Sequence, residues 1–269
     1  MNNTGYWDQR RGKIYSRKGG WRIGEAVYCH GYSMMEDLVG EVSYFQVLIL
    51  NVTGRLPERR FADCMEALFT CLSYPDDRIW CNQIGSLAGT LQASGVAAVS
   101  AGVLASDSYH YGVGPIMASA EFIVEAVNLK KKGMSIEEIV DSKARRPGSK
   151  PKISGYMRPV ASGDERIEVM ESITAQLGFS PGEHLSTAYE VSEIMQRKYN
   201  ETMNINGYGV AFFADHGFSA QEMYRMFSIS VNSGVTACYI EAAESPPESF
   251  LPLRCNDIDY QGHPPRELP

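Results

Sequence analysis

The segment from Ile79 to Leu104, IWCNQIGSLAGTLQASGVAAVSAGVL, constrains this chain more than any other stretch. Small side chains let helix backbones approach closely, so the run predicts one or two buried helices packed through Gly, Ala and Ser. Its Gly and Ser content is too high for a membrane span. Nowhere does the chain reach the roughly 18 uninterrupted apolar residues that a membrane helix needs. Such a face serves either as a helix–helix dimer interface or as domain core.

Around that segment the pattern is mainly helical. Phe61, Met65, Leu68, Phe69 and Leu72 recur at helical spacing, the mark of an amphipathic helix on a core. Short helices are expected between Met34 and Leu50, stopping at Gly54-Arg55-Leu56-Pro57, since a Gly followed closely by Pro ends a helix. Further helices are expected over 116–127, 165–177, 185–198, 207–214 and 220–243. A short one follows Ser135, with Glu138 completing a capping box. Alternation at Lys13-Ile14-Tyr15 and Glu25-Ala26-Val27-Tyr28 predicts short strands or extended segments. Residues 143–152 (KARRPGSKPK) read as a basic loop, and the proline-rich tail after Ser245 as an extended strap. The sum is an all-α protein, roughly two-thirds helix against a base rate of about one-third.

The net charge of −7 over 269 residues argues against nucleic acid as the main partner, because phosphate binding needs a basic face. Cys29, Cys64, Cys71, Cys81, Cys238 and Cys255 form no CxxC pair and no zinc spacing with histidine. They read as reduced thiols of a cytoplasmic protein. The first residues carry positive charge but no apolar run, so they do not read as a secretory signal. No Walker loop and no dinucleotide glycine fingerprint is present. No metal constellation appears.

Five stretches, in order, carry a family resemblance. They are Cys29-His30-Gly31-Tyr32 with Gly54-Arg55-Leu56-Pro57; Tyr109-His110-Tyr111-Gly112; Lys152-Ile153-Ser154-Gly155-Tyr156-Met157-Arg158-Pro159-Val160 with Gly163-Asp164-Glu165-Arg166; Asn204-Ile205-Asn206-Gly207; and Met226-Phe227-Ser228-Ile229-Ser230 through Gly234, with Arg254 and Tyr260-Gln261-Gly262. Together they resemble the citrate synthase and citryl-CoA lyase family. The third stretch is similar to its KIPGFGHPVY..GDPR motif and the fourth to the NVDG of its lyase branch. The length is nearer the lyase-type module than a full citrate synthase.

The resemblance implies a large helical domain, 1–111 with 218–269, and a smaller inserted domain, 112–217. It implies a CoA thioester as substrate, no permanently bound cofactor, a keto or carboxylic acid partner and a homodimer through 84–104. Position by position, the enol-binding histidine falls on His110. The family's second histidine falls on Arg158, and its catalytic aspartate on Asn206. Arg166 and Arg254 fall on carboxylate-binding arginines, Val231 replaces a third, and His30 stands where an arginine is usual. Lys150, Lys152, Lys198 and Arg146 are the implied contacts for the nucleotide phosphates.

An asparagine amide keeps the shape of aspartate but cannot act as a base near neutral pH. Arg158 stays protonated, so it clamps an anion rather than donating a proton. Three readings remain open. The protein forms or cleaves a carbon–carbon bond with the enolate generated another way, for instance by decarboxylation of a malonyl-type thioester. Alternatively the fold performs another lyase, hydrolase or cyclase reaction, with Asp164, His216 or Glu241 moving protons. In the third, it is a non-catalytic CoA-binding homologue or partner subunit. His216 reads as a helix-end residue; His184 and His263 read as solvated.

Overall fold

A computed structural model describes residues 4–109, 111–158 and 163–268. Helix accounts for 55% of the described residues, below the two-thirds expected, because both ends are largely irregular. After a one-turn helix, α1 (Gly5–Asp8), three short antiparallel strands form a sheet in the order β1 (Gly19–Trp21), β2 (Val27–Cys29) and β3 (Tyr32–Ser33). Tyr28 pairs with Ser33 and Cys29 with Tyr32. His30 (φ 48°) and Gly31 (φ 90°) make the turn between them, the double left-handed geometry that suits a two-residue hairpin. Of the two stretches expected as strands or extended segments, 13–15 joins no sheet, and the first strand lies at 19–21.

A π-helical turn at Met34–Leu38 leads into α2 (Tyr44–Thr53). Ser43 and Gln46 cap its start reciprocally, and Gly54, at φ 78°, ends it. Next come α3 (Arg59–Leu72), α4 (Trp80–Thr90), α5 (Gly95–Ser106), α6 (Pro115–Lys131) and α7 (Ile136–Ser142). The capping box expected at Ser135 and Glu138 is formed. The remaining helices are α8 (Arg166–Gln176), α9 (Glu183–Tyr199), α10 (Ile205–Asp215), α11 (Ala220–Phe227) and α12 (Asn232–Glu244). One continuous helix was expected over 220–243; turns at 228–231 divide it into α11 and α12.

The chain forms two compact units, 1–72 with 108–228 and 73–107 with 229–269. These boundaries differ from those drawn on the sequence at 111 and 217. The physical reason lies in α3. Its buried face, Phe61, Met65 and Leu68, belongs to the same core as Tyr156, Met170, Val191 and nearly all of α10. The middle of the chain therefore has no core separate from the N-terminal helices. Within this unit α10 is the axis, touching α6, α8, α9 and α11.

In the second unit α4, α5 and α12 pack on one another. Here the small residues serve the core. A Cβ on Gly89 would sit 2.5 Å from the Tyr239 carbonyl oxygen, and one on Gly102 2.4 Å from a Val235 methyl. The outward face of α5 stays apolar, with Val96 81% and Leu104 76% exposed.

Candidate active site

The site is built around the first turn of α10. Asn204 caps it: its Oδ1 accepts from the backbone N–H of Asn206 at 3.0 Å and of Gly207 at 3.1 Å, filling donors that a helix start leaves open. The same residue ties the helix to the turn at 153–158. Its N–H donates to the Gly155 carbonyl at 2.8 Å and its Nδ2 to the Met157 carbonyl at 2.6 Å. Turn and helix meet backbone to backbone. Gly155 has φ +91°, and a Cβ there would lie 2.9 Å from Gly207 Cα; a Cβ on Gly207 would lie 2.4 Å from the Gly155 oxygen. Both glycines are required by this approach.

Asp164 closes the arrangement. Its side chain is 0% exposed and accepts the Ile205 N–H at 2.8 Å, placing an anion at the positive end of α10. Arg166 grips it with two bonds of 2.7 Å and reaches the Cys71 carbonyl at 3.3 Å. Burial alone would raise the Asp164 carboxyl; the bonds from Arg166 and the Ile205 N–H outweigh it and hold the group below the ordinary carboxylate range. Oδ1 accepts the Arg166 backbone N–H at 3.3 Å as well as Nε, and Oδ2 accepts Nη2 and the Ile205 N–H, so all four acceptor positions of Asp164 are engaged and none is left for proton transfer. Arg158 lies 3.8 Å from Asp164 and donates to the Gly163 carbonyl at 3.3 Å and to Glu165 Oε1 at 3.1 Å. That guanidinium holds the Glu165 carboxyl down at about 2.

Asn206 sits half-buried in the same turn of α10, its Nδ2 donating to Ser119 Oγ on α6 at 2.8 Å. Ser119 is fully buried, so the amide is held from behind. Of the residues expected in the site, Arg158, Arg166 and Asn206 are thus joined in one network. His110 lies outside the described residues.

Others fall elsewhere. His30 occupies the β2–β3 turn, its Nε2 buried with no hydrogen-bond partner among the described residues and its ring against Gly54. No hydrogen bond or ion pair among the described residues links it to Arg158. Arg254 belongs to the other unit, in the exposed tail, where its N–H meets Asp257 at 2.7 Å. Val231 is buried beside the start of α12, and Glu241 is exposed on that helix. His216 ends α10, its Nδ1 2.8 Å from the Phe212 carbonyl and its ring among Phe61, Phe179 and Phe212. That is the helix-end role expected, and it excludes His216 from the network. His184 is not the solvated residue expected; it pairs with Asp215 at 2.9 Å, because Asp215 turns back to cap α9.

The basic residues divide. Lys198 is held by Asp141 at 2.7 Å and Glu137 at 3.0 Å, and Lys150 is paired with Glu201. Arg146 and Lys152 are exposed, and no ion pair to either is found among the described residues. Sequence reasoning missed Ser119, Asn204 and Glu165. Asn204 carried a usable signal, a cap residue just ahead of a helix; Ser119, 87 residues from Asn206, carried none.

No protein-family model matches the chain, and no curated protein does. Solved structures match strongly. The citryl-CoA lyase of Hydrogenobacter thermophilus is 28% identical with a TM-score of 0.79, over 96% of this chain and 98% of that one. The chain belongs to the citrate synthase superfamily. Its all-α architecture is the citrate synthase-like fold. An ATP citrate lyase from Methanosaeta concilii, solved with (3S)-citryl-CoA, shares that fold at 16% identity and TM-score 0.76. There 98% of this chain corresponds to only 45% of the lyase, so the chain spans less than half of that larger protein. The citrate synthase of Thermoplasma acidophilum, solved with carboxymethyl coenzyme A and oxaloacetate, matches at 15% identity and TM-score 0.65, over 84% of this chain and 59% of that one.

Proposed function

We propose that this superfamily member acts on a CoA thioester, cleaving or forming the carbon–carbon bond between an acyl-CoA enolate and a keto acid. It is thus a lyase or an acyltransferase. The likeness to a citryl-CoA lyase along nearly the full length of both chains carries this reading. The network at the start of α10 supports it, since two guanidinium groups and an anchored amide face one turn.

The altered acid/base set favours cleavage or decarboxylation. In cleavage the substrate hydroxyl gives its proton to water and its oxygen becomes the carbonyl of the keto acid as the carbon–carbon bond breaks; the electron pair moves onto the thioester as an enolate, whose carbon then takes a proton from water. Bond scission makes the enolate, so no carboxylate is needed at Asn206 to create it. Loss of carbon dioxide from a malonyl-type thioester has the same property. His110 stabilises the enolate oxygen, Arg158 clamps a carboxylate of the substrate, and Asn206, fixed by Ser119, orients the acyl group. Arg166, with Arg254 and His30, completes the carboxylate-binding set implied by the resemblance. Arg146, Lys150, Lys152 and Lys198 attract the nucleotide phosphates. The thioester is itself the reactant, and no resident cofactor is invoked.

The reading includes a homodimer through residues 84–104, supported by the apolar outward face of α5, with Arg254 contributed to the neighbouring copy. It includes a cytoplasmic location, supported by six cysteines that form no disulfide among the described residues. No helix among the described residues is long and apolar enough to cross a membrane.

The deciding experiment offers purified protein citryl-CoA, malonyl-CoA, and acetyl-CoA with a panel of 2-oxo acids. Thioester cleavage or CoA release is followed. Turnover of at least one is expected. No turnover together with no detectable CoA binding overturns the reading.

A further inference from the structure

Arg158 and Glu165 stand where the family motif has His and Pro, and the structure pairs the two departures with each other. The Arg158 side chain is 15% exposed and anchored from within by the Gly163 carbonyl. Asp164 lies 3.8 Å from it as an ion-pair partner, but the hydrogen bonds of that carboxylate go to Arg166 and the Ile205 N–H. Its fork is filled from the solvent side by Glu165, whose own side chain is 74% exposed. Both Nη atoms meet the two carboxylate oxygens, Nη2 to Oε1 at 3.1 Å. Planar fork to planar carboxylate is the contact an incoming carboxylate would make.

We propose that Glu165 is a specificity-determining residue, an internal carboxylate that occupies the anion seat of Arg158 and yields it to a carboxylate of the ligand. The inference rests on the proposed CoA-thioester reading for its choice of ligand. Release is inexpensive, because an exposed carboxylate regains its hydration and such a pair has small net strength. Competition is nonetheless strong for a small free acid, since Glu165 is tethered beside the seat at high effective concentration. A carboxylate carried on a CoA thioester is tethered as well, by the contacts of the rest of its molecule. The site therefore favours a thioester-borne acid over the same acid free in solution.

Calorimetric titration of citrate, oxaloacetate and CoA into the wild type, Glu165→Gln, Arg158→Gln and the double variant tests this. Glu165→Gln is expected to bind citrate or oxaloacetate about fivefold more tightly. Arg158→Gln is expected to abolish that gain, and CoA affinity to stay unchanged in Glu165→Gln. A free-acid affinity that is equal or weaker in Glu165→Gln overturns the proposal, as does a gain that survives in the double variant. If Glu165→Gln folds poorly, Glu165→Asp, with an arm too short to reach, replaces it under the same criteria. Loss of CoA binding in every protein, with the gain for free acid intact, would overturn the thioester reading alone.

Discussion

The two ends of α10 use similar residue types for opposite ends. At the C-terminal end His216 and Asp215 are titratable, yet both are consumed by the fold: one bonds a carbonyl inside an aromatic cage, the other caps α9. Ten residues earlier, about 15 Å along the axis, Asn206 is also bonded, but by a partner that leaves capacity over. The amide of Asn206 uses its nitrogen on Ser119, while no hydrogen bond to its Oδ1 is found among the described residues. Beside it, one of the partners of Arg158 is the exposed carboxylate of Glu165. On the proposed reading, what separates Asn206 from the polar groups that only hold the fold is that its bonding capacity is not exhausted.

The largest expected effect breaks the one exhausted group at the N-terminal end. Asp164→Asn keeps the shape but leaves Arg166 and the α10 N-terminus without their anion. Removing one partner of a buried pair costs about 3 kcal/mol or more, read as a fall in urea midpoint. Acid should imitate the substitution. The Asp164 carboxyl is depressed in the folded state, so its stabilisation is present above the ordinary carboxylate value of about 4 and disappears as pH drops toward the lower folded value. The variant should lack that portion of the acid-induced loss.

Asn206→Asp comes next and separates the ends most sharply, since it changes chemistry rather than stability. Restoring a base is worth about 10²–10⁴-fold in rate. Condensation of acetyl-CoA with oxaloacetate should rise by about 10²-fold, with the thermal midpoint nearly unmoved because Ser119 Oγ can donate to either oxygen. No rise would mean that the acceptor has changed along with the base. At the far end of the helix, His216→Leu should do the reverse. It should cost about 1 kcal/mol for the lost hydrogen bond and leave CoA and citrate affinities as they were.

The sequence revealed most of what local chemistry decides. The Gly54 stop, the Ser135–Glu138 box, the turn around Gly155 and the helix opening near Asn206 were all legible, because each depends on residues within a few positions. The partners were not. Ser119 and Asn206 are 87 positions apart, and Arg166 meets the Cys71 carbonyl across 95. Such pairings exist only once α3, α6 and α10 share a core. The same applies to the break at 228–231, which falls where the chain passes from one unit to the other, and to the acids that hold Lys198 and Lys150.

Those acids set the smallest and last contrast, among the cations assigned to the CoA phosphates. Arg146 and Lys152 are exposed and, among the described residues, in no ion pair, whereas Lys198 already serves two carboxylates from α7. Both partners raise the Lys198 ammonium above its ordinary value, with the Asp141 bond the largest cause, so it stays charged but locally neutralised. Reversing the charge of Arg146 or Lys152 should weaken CoA binding about tenfold, and added salt should shrink the difference. Lys198→Gln should change the dissociation constant by less than about twofold, since the field it presents to a phosphate is largely cancelled before the ligand arrives. A tenfold loss in Lys198→Gln would mean that Glu137 and Asp141 release the lysine on binding, and that its ion pairs, like the bond between Glu165 and Arg158, are exchangeable.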